Sequence, residues 1–145
     1  MPATPEYSEV VMQALLDHLA PLTATVTGLK IERNRKDPAI SRPILLVDDG
    51  ADDIDDSTWG KDIHQFGIEI AAFAADLAEA RRIAALAHQL IAADVTLGGK
   101  AVDCRRAGRS PETAQIRGGE DLAAEIVTYS IEFWTKPGDP FQAAP

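Results

Sequence analysis

Six aspartates stand within nine residues, at Asp48, Asp49, Asp52, Asp53, Asp55 and Asp56. Carboxylates at that density could hold a divalent cation, since calcium and magnesium take hard oxygen ligands. The order does not match an EF-hand loop, which alternates its acids and closes the shell with a glutamate. A run of like charges repels itself and stays hydrated, so the expected form is a mobile loop or a docking surface. Arg33, Arg35 and Lys36 could meet a partner's carboxylates or a phosphate, or could end a strand in solvent. Arg105, Arg106 and Arg109 form a second basic group, either a contact surface or edge charges that discourage strand pairing. Trp134 shares its parity with Thr128, Ser130 and Glu132. An aromatic among such residues marks a contact surface or a ring lying under a loop.

The usual catalytic constellations do not form. His18, His64 and His88 fall on three different elements, and no pair has the i, i+4 spacing of a helical zinc site. His88 reads as a solvated residue on a polar helix flank. Gly98-Gly99-Lys100 lacks the upstream glycine of a phosphate loop, and Ala101 stands where Ser or Thr would hold magnesium. Gly108-Arg109-Ser110-Pro111-Glu112 lacks the second glycine of a nucleophile elbow. Cys104 is the single cysteine, which rules out an intrachain disulfide and a thiolate-rich metal centre. It alternates with Val102 and reads as a small core residue. The sequence assigns no catalytic, cofactor or metal residue.

These residues hang on a strand that runs into the longest helical pattern. In the strand, Phe66, Ile68, Ile70 and Ala72 share one face, and Gln65, Gly67, Glu69 and Ala71 share the other. Asp76–Ala93 follows with helical period: Leu77, Ala80, Ile83, Ala84, Leu86, Ala87, Leu90 and Ile91 fill one half of the wheel. Asp76 and Glu79 stand as a capping box, and Ala80, Ala84 and Ala87 let the helix sit close on a sheet. Upstream, the pattern predicts a helix over Glu6–Leu19, with Val10, Met12, Ala14, Leu15 and Leu19 inward and Pro21 as the stop. Thr23–Arg35 has strand composition, with Gly28 at a bend. Pro43–Val47 is apolar on both faces, as a covered central strand would be. Ala101–Arg106 is a short strand, Gly108–Asp121 a loop or hairpin tip, and Ala124–Lys136 the last strand. On that strand Val127, Tyr129, Ile131 and Phe133 face inward. The fold class is α+β, a mainly antiparallel sheet covered by two helices. Residues 1–5 and 137–145 read as loose ends around one domain at 6–136.

Length fits one hydrophobic core in 145 residues. The formal net charge of -9 disfavours unspecific nucleic-acid binding over the whole surface. No apolar run is long enough to span a bilayer, and the first residues lack a signal peptide's basic and apolar regions. The expectation is synthesis and retention in the cytosol, without membrane contact.

Several of these segments, in this order, resemble the tail terminators of long-tailed phages, the minor tail protein U-like group, which includes terminators of gene transfer agents. They are Ile31-Glu32-Arg33-Asn34-Arg35-Lys36-Asp37-Pro38, then Arg42-Pro43-Ile44-Leu45-Leu46-Val47-Asp48-Asp49-Gly50. The alternating strand with its Ala-rich helix, Leu97-Gly98-Gly99, and the closing Tyr129-Ser130-Ile131-Glu132-Phe133-Trp134-Thr135-Lys136-Pro137-Gly138-Asp139-Pro140 complete the set. The resemblance is one of pattern and order over residues 6–140, with no catalytic signature. It implies a non-enzymatic virion subunit, assembled in the bacterial cytoplasm and placed at the head-proximal end of the tail. Such subunits form a hexameric ring that caps the tail tube and meets the head-side connector, while DNA passes through the lumen without specific binding. Acidic residues lining that channel would repel DNA. The aspartate run matches no family motif. The alternatives are another neck or adaptor protein of the same particle, or a small metal-binding enzyme or ligand-binding dimer of the same fold class.

Overall fold

A computed structural model describes residues 4–34, 43–56, 60–115 and 121–144. Its elements run α1 (Tyr7–Leu19), α2 (Leu22–Thr25), β1 (Lys30–Arg33), β2 (Ile44–Asp55), β3 (Asp62–Ala74), α3 (Leu77–Ala93), β4 (Asp103–Gln115), β5 (Asp121–Lys136) and β6 (Asp139–Ala143). The strands form one sheet in the order β1-β2-β3-β5-β4, with β6 also paired to β5. All pairings are antiparallel except β1 with β2. The expected α+β class holds.

The period-2 pattern of β3 sets the layers. His64, Phe66, Ile68, Ile70 and Ala72 are buried on one face, and Gln65 and Glu69 are exposed on the other. β5 repeats this in register, from Asp62 opposite Thr135 to Ala74 opposite Ala123. Val127, Tyr129, Ile131 and Phe133 thus join the same apolar layer. α1 and α3 close over it with Val11, Met12, Leu15 and Leu19 from one and Ala80, Ile83, Ala84, Ala87 and Ile91 from the other. Each fully buried Leu or Ile there contributes about 1.5–3 kcal/mol relative to exposure. The Asp76 carboxylate accepts from the Glu79 amide at 2.8 Å, so half of the capping box forms. Glu79 turns its own carboxylate to Arg82 instead.

Five segments differ from the sequence expectation. In α1 the buried residue is Val11 rather than Val10, because the stripe begins one residue later. Thr23–Arg35 is not one strand: Pro21 opens the short helix α2, whose last turn places the Val26 amide on the Leu22 carbonyl. Gly28, at φ +77, then turns the chain into β1. The acidic run is not a loop. β2 continues through it to Asp55, paired with β3 and interrupted by a bulge between Asp49 and Asp52. Main-chain hydrogen bonds hold such a strand without apolar side chains, and the alternate positions send carboxylates into water. Likewise β4 runs on past Gly108 to Gln115, with a bulge after Arg106. Pro111 is tolerated because β4 is the outermost strand and its free side needs no amide. Finally, the 137–145 tail carries β6. Gly138, at φ +71, reverses the chain, and its amide reaches the Asp62 carboxylate at 3.1 Å.

The start of β2 is covered on both faces, as expected. Leu45 and Val47 join the main core, while Ile44 and Leu46 meet Ala71, Phe73 and Ile126 on the opposite side. No helix among the described residues is long and apolar enough to cross a membrane.

Candidate functional site

The residues singled out in the sequence divide between the ends and edges of the sheet. Arg33, at the end of β1, is taken up internally. Its Nη1 and Nη2 reach both carboxylate oxygens of Glu9 at 2.8 and 2.7 Å, and its Nε and Nη2 reach those of Asp49 at 2.9 and 2.5 Å. One guanidinium therefore ties α1 and β1 to the point where β2 turns acidic. These bonds hold Glu9 and Asp49 below their usual carboxylate range and push Arg33 upward. Asn34, at φ 53, adds a side-chain oxygen that accepts from the Asp49 amide. Arg35 and Lys36 lie outside the described residues.

Asp52 turns inward. Its Oδ2 accepts from His64 Nδ1 at 2.8 Å, and the ring's Nε2 meets the Thr135 hydroxyl at 2.8 Å. The imidazole stacks on Phe133 with centroids 4.3 Å apart. Acid, imidazole and hydroxyl stand here in the order of a nucleophile triad. The hydroxyl, however, belongs to a residue 1% exposed, so no substrate carbon can approach it. The arrangement fixes the register of β2, β3 and β5 at the far end of the sheet. The His64 signal was available in the sequence, because it has the parity of Phe66 and Ile68. Asp48 is half-buried, and Asp49, Asp53, Asp55 and Asp56 are exposed. No group of three or more His, Cys, Asp or Glu among the described residues could hold a metal ion.

Beyond the buried Ile44–Leu46–Ala71 patch, the face of the sheet away from the helices is polar. Gln65 bridges Glu132 at 2.8 Å and Ser130 at 3.0 Å. A shallow groove of about 410 Å³ crosses it beside Gly50 and Gly67, with Asp48, Glu69, Thr128 and Ser130 on its walls. A Cβ on Gly50 would stand 2.7 Å from the Gly67 carbonyl oxygen, so the two strands need glycine there. Trp134 is half-buried at the end of this face. Its indole donates to Glu132 at 3.1 Å, and the Lys61 ammonium sits 3.2 Å from the ring centroid.

The other arginines line the β4 edge. Arg105 pairs with Asp103, and Arg109 reaches Glu125 Oε1 at 2.7 Å. Glu125 is 1% exposed and also meets Arg81 of α3 at 3.5 Å. Sequence reasoning missed it, although it shares the inward parity of Val127. A second groove, about 470 Å³, runs between α3 and β4 with Arg81, Arg82, His88, Arg106 and Arg109 around it. His88 is tied down rather than solvated: its Nδ1 lies 2.9 Å from the Tyr129 hydroxyl. Burial, with Arg106 nearby, lowers the His88 pKa and favours the neutral ring, which can accept a hydrogen bond from the Tyr129 hydroxyl. Burial also raises Tyr129 to about 12 and Cys104, 3% exposed in the core, to about 12. The thiol is therefore protonated and inert at neutral pH. Val102 does not join it inside but is exposed.

No protein-family model matches the chain, and no curated protein matches its sequence. Among solved structures, it is similar to a chain described as "Virion of native gene transfer agent (GTA) particle", at 16% identity and TM-score 0.43. That likeness covers 83% of this chain and 92% of the other. At that score the likeness is too weak to bear on function.

Proposed function

We propose that the chain is a non-catalytic structural subunit of a phage-like tail. In this reading it is a terminator whose copies form a ring, six in number, on the head-proximal end of the tail tube. One ring face docks on the tube, and the other offers the next tube subunit no place to add. That stops polymerisation and leaves a surface for the head-side connector. DNA passes through the lumen without being bound, repelled by acidic residues of the Asp48–Asp56 run, with Asp48 and Glu69 among the carboxylates placed to line it. The subunit is made in the bacterial cytoplasm and ends in the particle.

The observation that carries this reading is the exposed architecture of the sheet. Away from the Ile44–Leu46–Ala71 patch, one face is exposed and polar, and both outer strands lack a further partner among the described residues. A subunit that works by joining neighbours needs such surfaces. The order of the sequence segments from Ile31 to Pro140, which resembles that of tail terminators, supports the same reading. Trp134 with its Lys61 cap is the candidate anchor for the tube or connector. The deciding experiment is deletion of the gene, with electron microscopy of the particles. Tails of uncontrolled length, or tails without heads, are expected. Tails of normal length joined to heads would overturn the proposal. The alternative of a metal-dependent enzyme or dimer predicts that calcium or magnesium raises the melting temperature, and no shift is expected here.

A further inference from the structure

The two outer sides of the sheet carry opposite charge. On one side, β1 accompanies β2 only from Ile44 to Val47, so no described strand pairs with the outer side of the acidic half. That half presents Asp53 and Asp56 around Ile54, whose side chain is 56% exposed. On the other side β4 is outermost and carries Arg105, Arg106 and Arg109, with Arg81 and Arg82 of α3 across the groove beside it. Arg106 makes no ion pair among the described residues, and the Arg105 side chain is 73% exposed. Val102 and Phe141, on this same side of β5, are exposed apolar residues. Ile54, Val102 and Phe141 are the large apolar side chains left exposed among the described residues, and all three stand at these two edges.

We propose that the chain binds a second copy of itself head to tail, the Asp53–Asp56 stretch at the end of β2 in one copy lying along the outer side of β4 in the next. Ile54 enters beside Val102 and Phe141, and Arg105 and Arg106 face the aspartates. Open strand edges supply main-chain groups for such an addition, and the flanking charges set its direction. Acid edge against acid edge repels, which disfavours a two-fold pair. The contact is therefore heterologous, and each pair keeps one acidic and one basic edge free to continue until a ring closes. A nucleic acid is the less favoured occupant of the basic edge. The chain as a whole carries a formal charge of -9, and a phosphate polymer offers no counterpart to Ile54. The inference rests on the self-assembly in the proposed function and names the surfaces that would carry it.

The test uses the full chain and two charge-reversed forms, Asp53→Lys with Asp56→Lys, and Arg105→Glu with Arg106→Glu. Arg109 is left in place because it partners buried Glu125. Light scattering should show the native chain associating, about tenfold more weakly in 500 mM salt than in 50 mM. Each reversed form alone should lose about a hundredfold in association, and an equimolar mixture should recover it, because the two forms restore opposite charges across the contact. Circular dichroism and melting of each form check that it folds. A native chain that stays single at the highest concentration reached overturns the inference. So does association that ignores salt and both reversals, or a mixture that does not recover. If the native chain stays single and retards a short DNA duplex, and Arg105→Glu with Arg106→Glu abolishes that, the basic edge serves nucleic acid and the proposal falls. Tail length on gene deletion is read separately. Normal capping with association through other faces would remove this interface and leave the function standing.

Discussion

Along Ile44–Val47, β2 has β1 on one side, β3 on the other and apolar contacts over both faces. Along Asp48–Asp55 the same strand has β3 alone among the described residues, and its side chains are mostly carboxylates. The first half is held by what it excludes from water. The second is held by main-chain pairing and by two inward tethers, Asp49 to Arg33 and Asp52 to His64. Pairing specifies the backbone, and burial decides which half carries stability. In the acidic half, Asp53 is an exposed side chain whose strand pairing is main-chain, so it can change with little cost to the fold.

The comparison can be broken most sharply in the apolar half. Leu45→Ala should cost about 2–5 kcal/mol in urea unfolding, because a fully buried leucine leaves a cavity in a packed layer. A cost under about 1 kcal/mol would mean that this half is not the anchor. At the junction, Gly50→Val should cost about 1–3 kcal/mol, since any side chain meets the Gly67 carbonyl and the bulged strand must shift.

Arg33→Ala should cost about 1–2 kcal/mol at neutral pH, reduced by the partial exposure of the clamp. Its pH dependence has a definite sign. Glu9 and Asp49 have folded pKa values below their unfolded ones, so their contribution is complete above the ordinary carboxylate pKa of about 4. It is lost as pH falls through the lowered values. The native chain and the variant should therefore converge in stability at strongly acid pH, as followed by unfolding at a series of pH values. A constant difference down to acid pH would place the effect in packing instead. Last, Asp53→Asn should change stability by less than about 0.5 kcal/mol, as an exposed strand residue whose pairing is main-chain.

The sequence was most legible where side-chain period and burial agree. The alternation of Phe66, Ile68 and Ile70, the stripe of Ala80, Ile83 and Ala87, and the Asp76 cap were each readable from local pattern. It was least legible where tertiary pairing overrides composition. Nothing in six aspartates announces a strand, because the partner that fixes it, β3, lies beyond the turn. Pro111 and Pro140 both argue against strands, yet both stand in outer strands, where a missing amide goes unnoticed. The candidate site divided in the same way. Arg105, Arg106 and Arg109 stand on β4, the outermost strand. Arg33 pairs with Glu9 and Asp49, two acids distant in sequence that local pattern does not bring together. His64 and Glu125 had the inward parity of their neighbours and were passed over because polar residues are not expected inside.

One buried atom has a practical consequence. The Cys104 sulfur is enclosed and keeps its proton at physiological pH, so maleimide reagents should leave the native chain unmarked. A thiol introduced at an exposed position, such as 56 or 142, would then be the lone reactive handle. Fluorophores or spin labels could be placed on either rim without first removing anything from the interior.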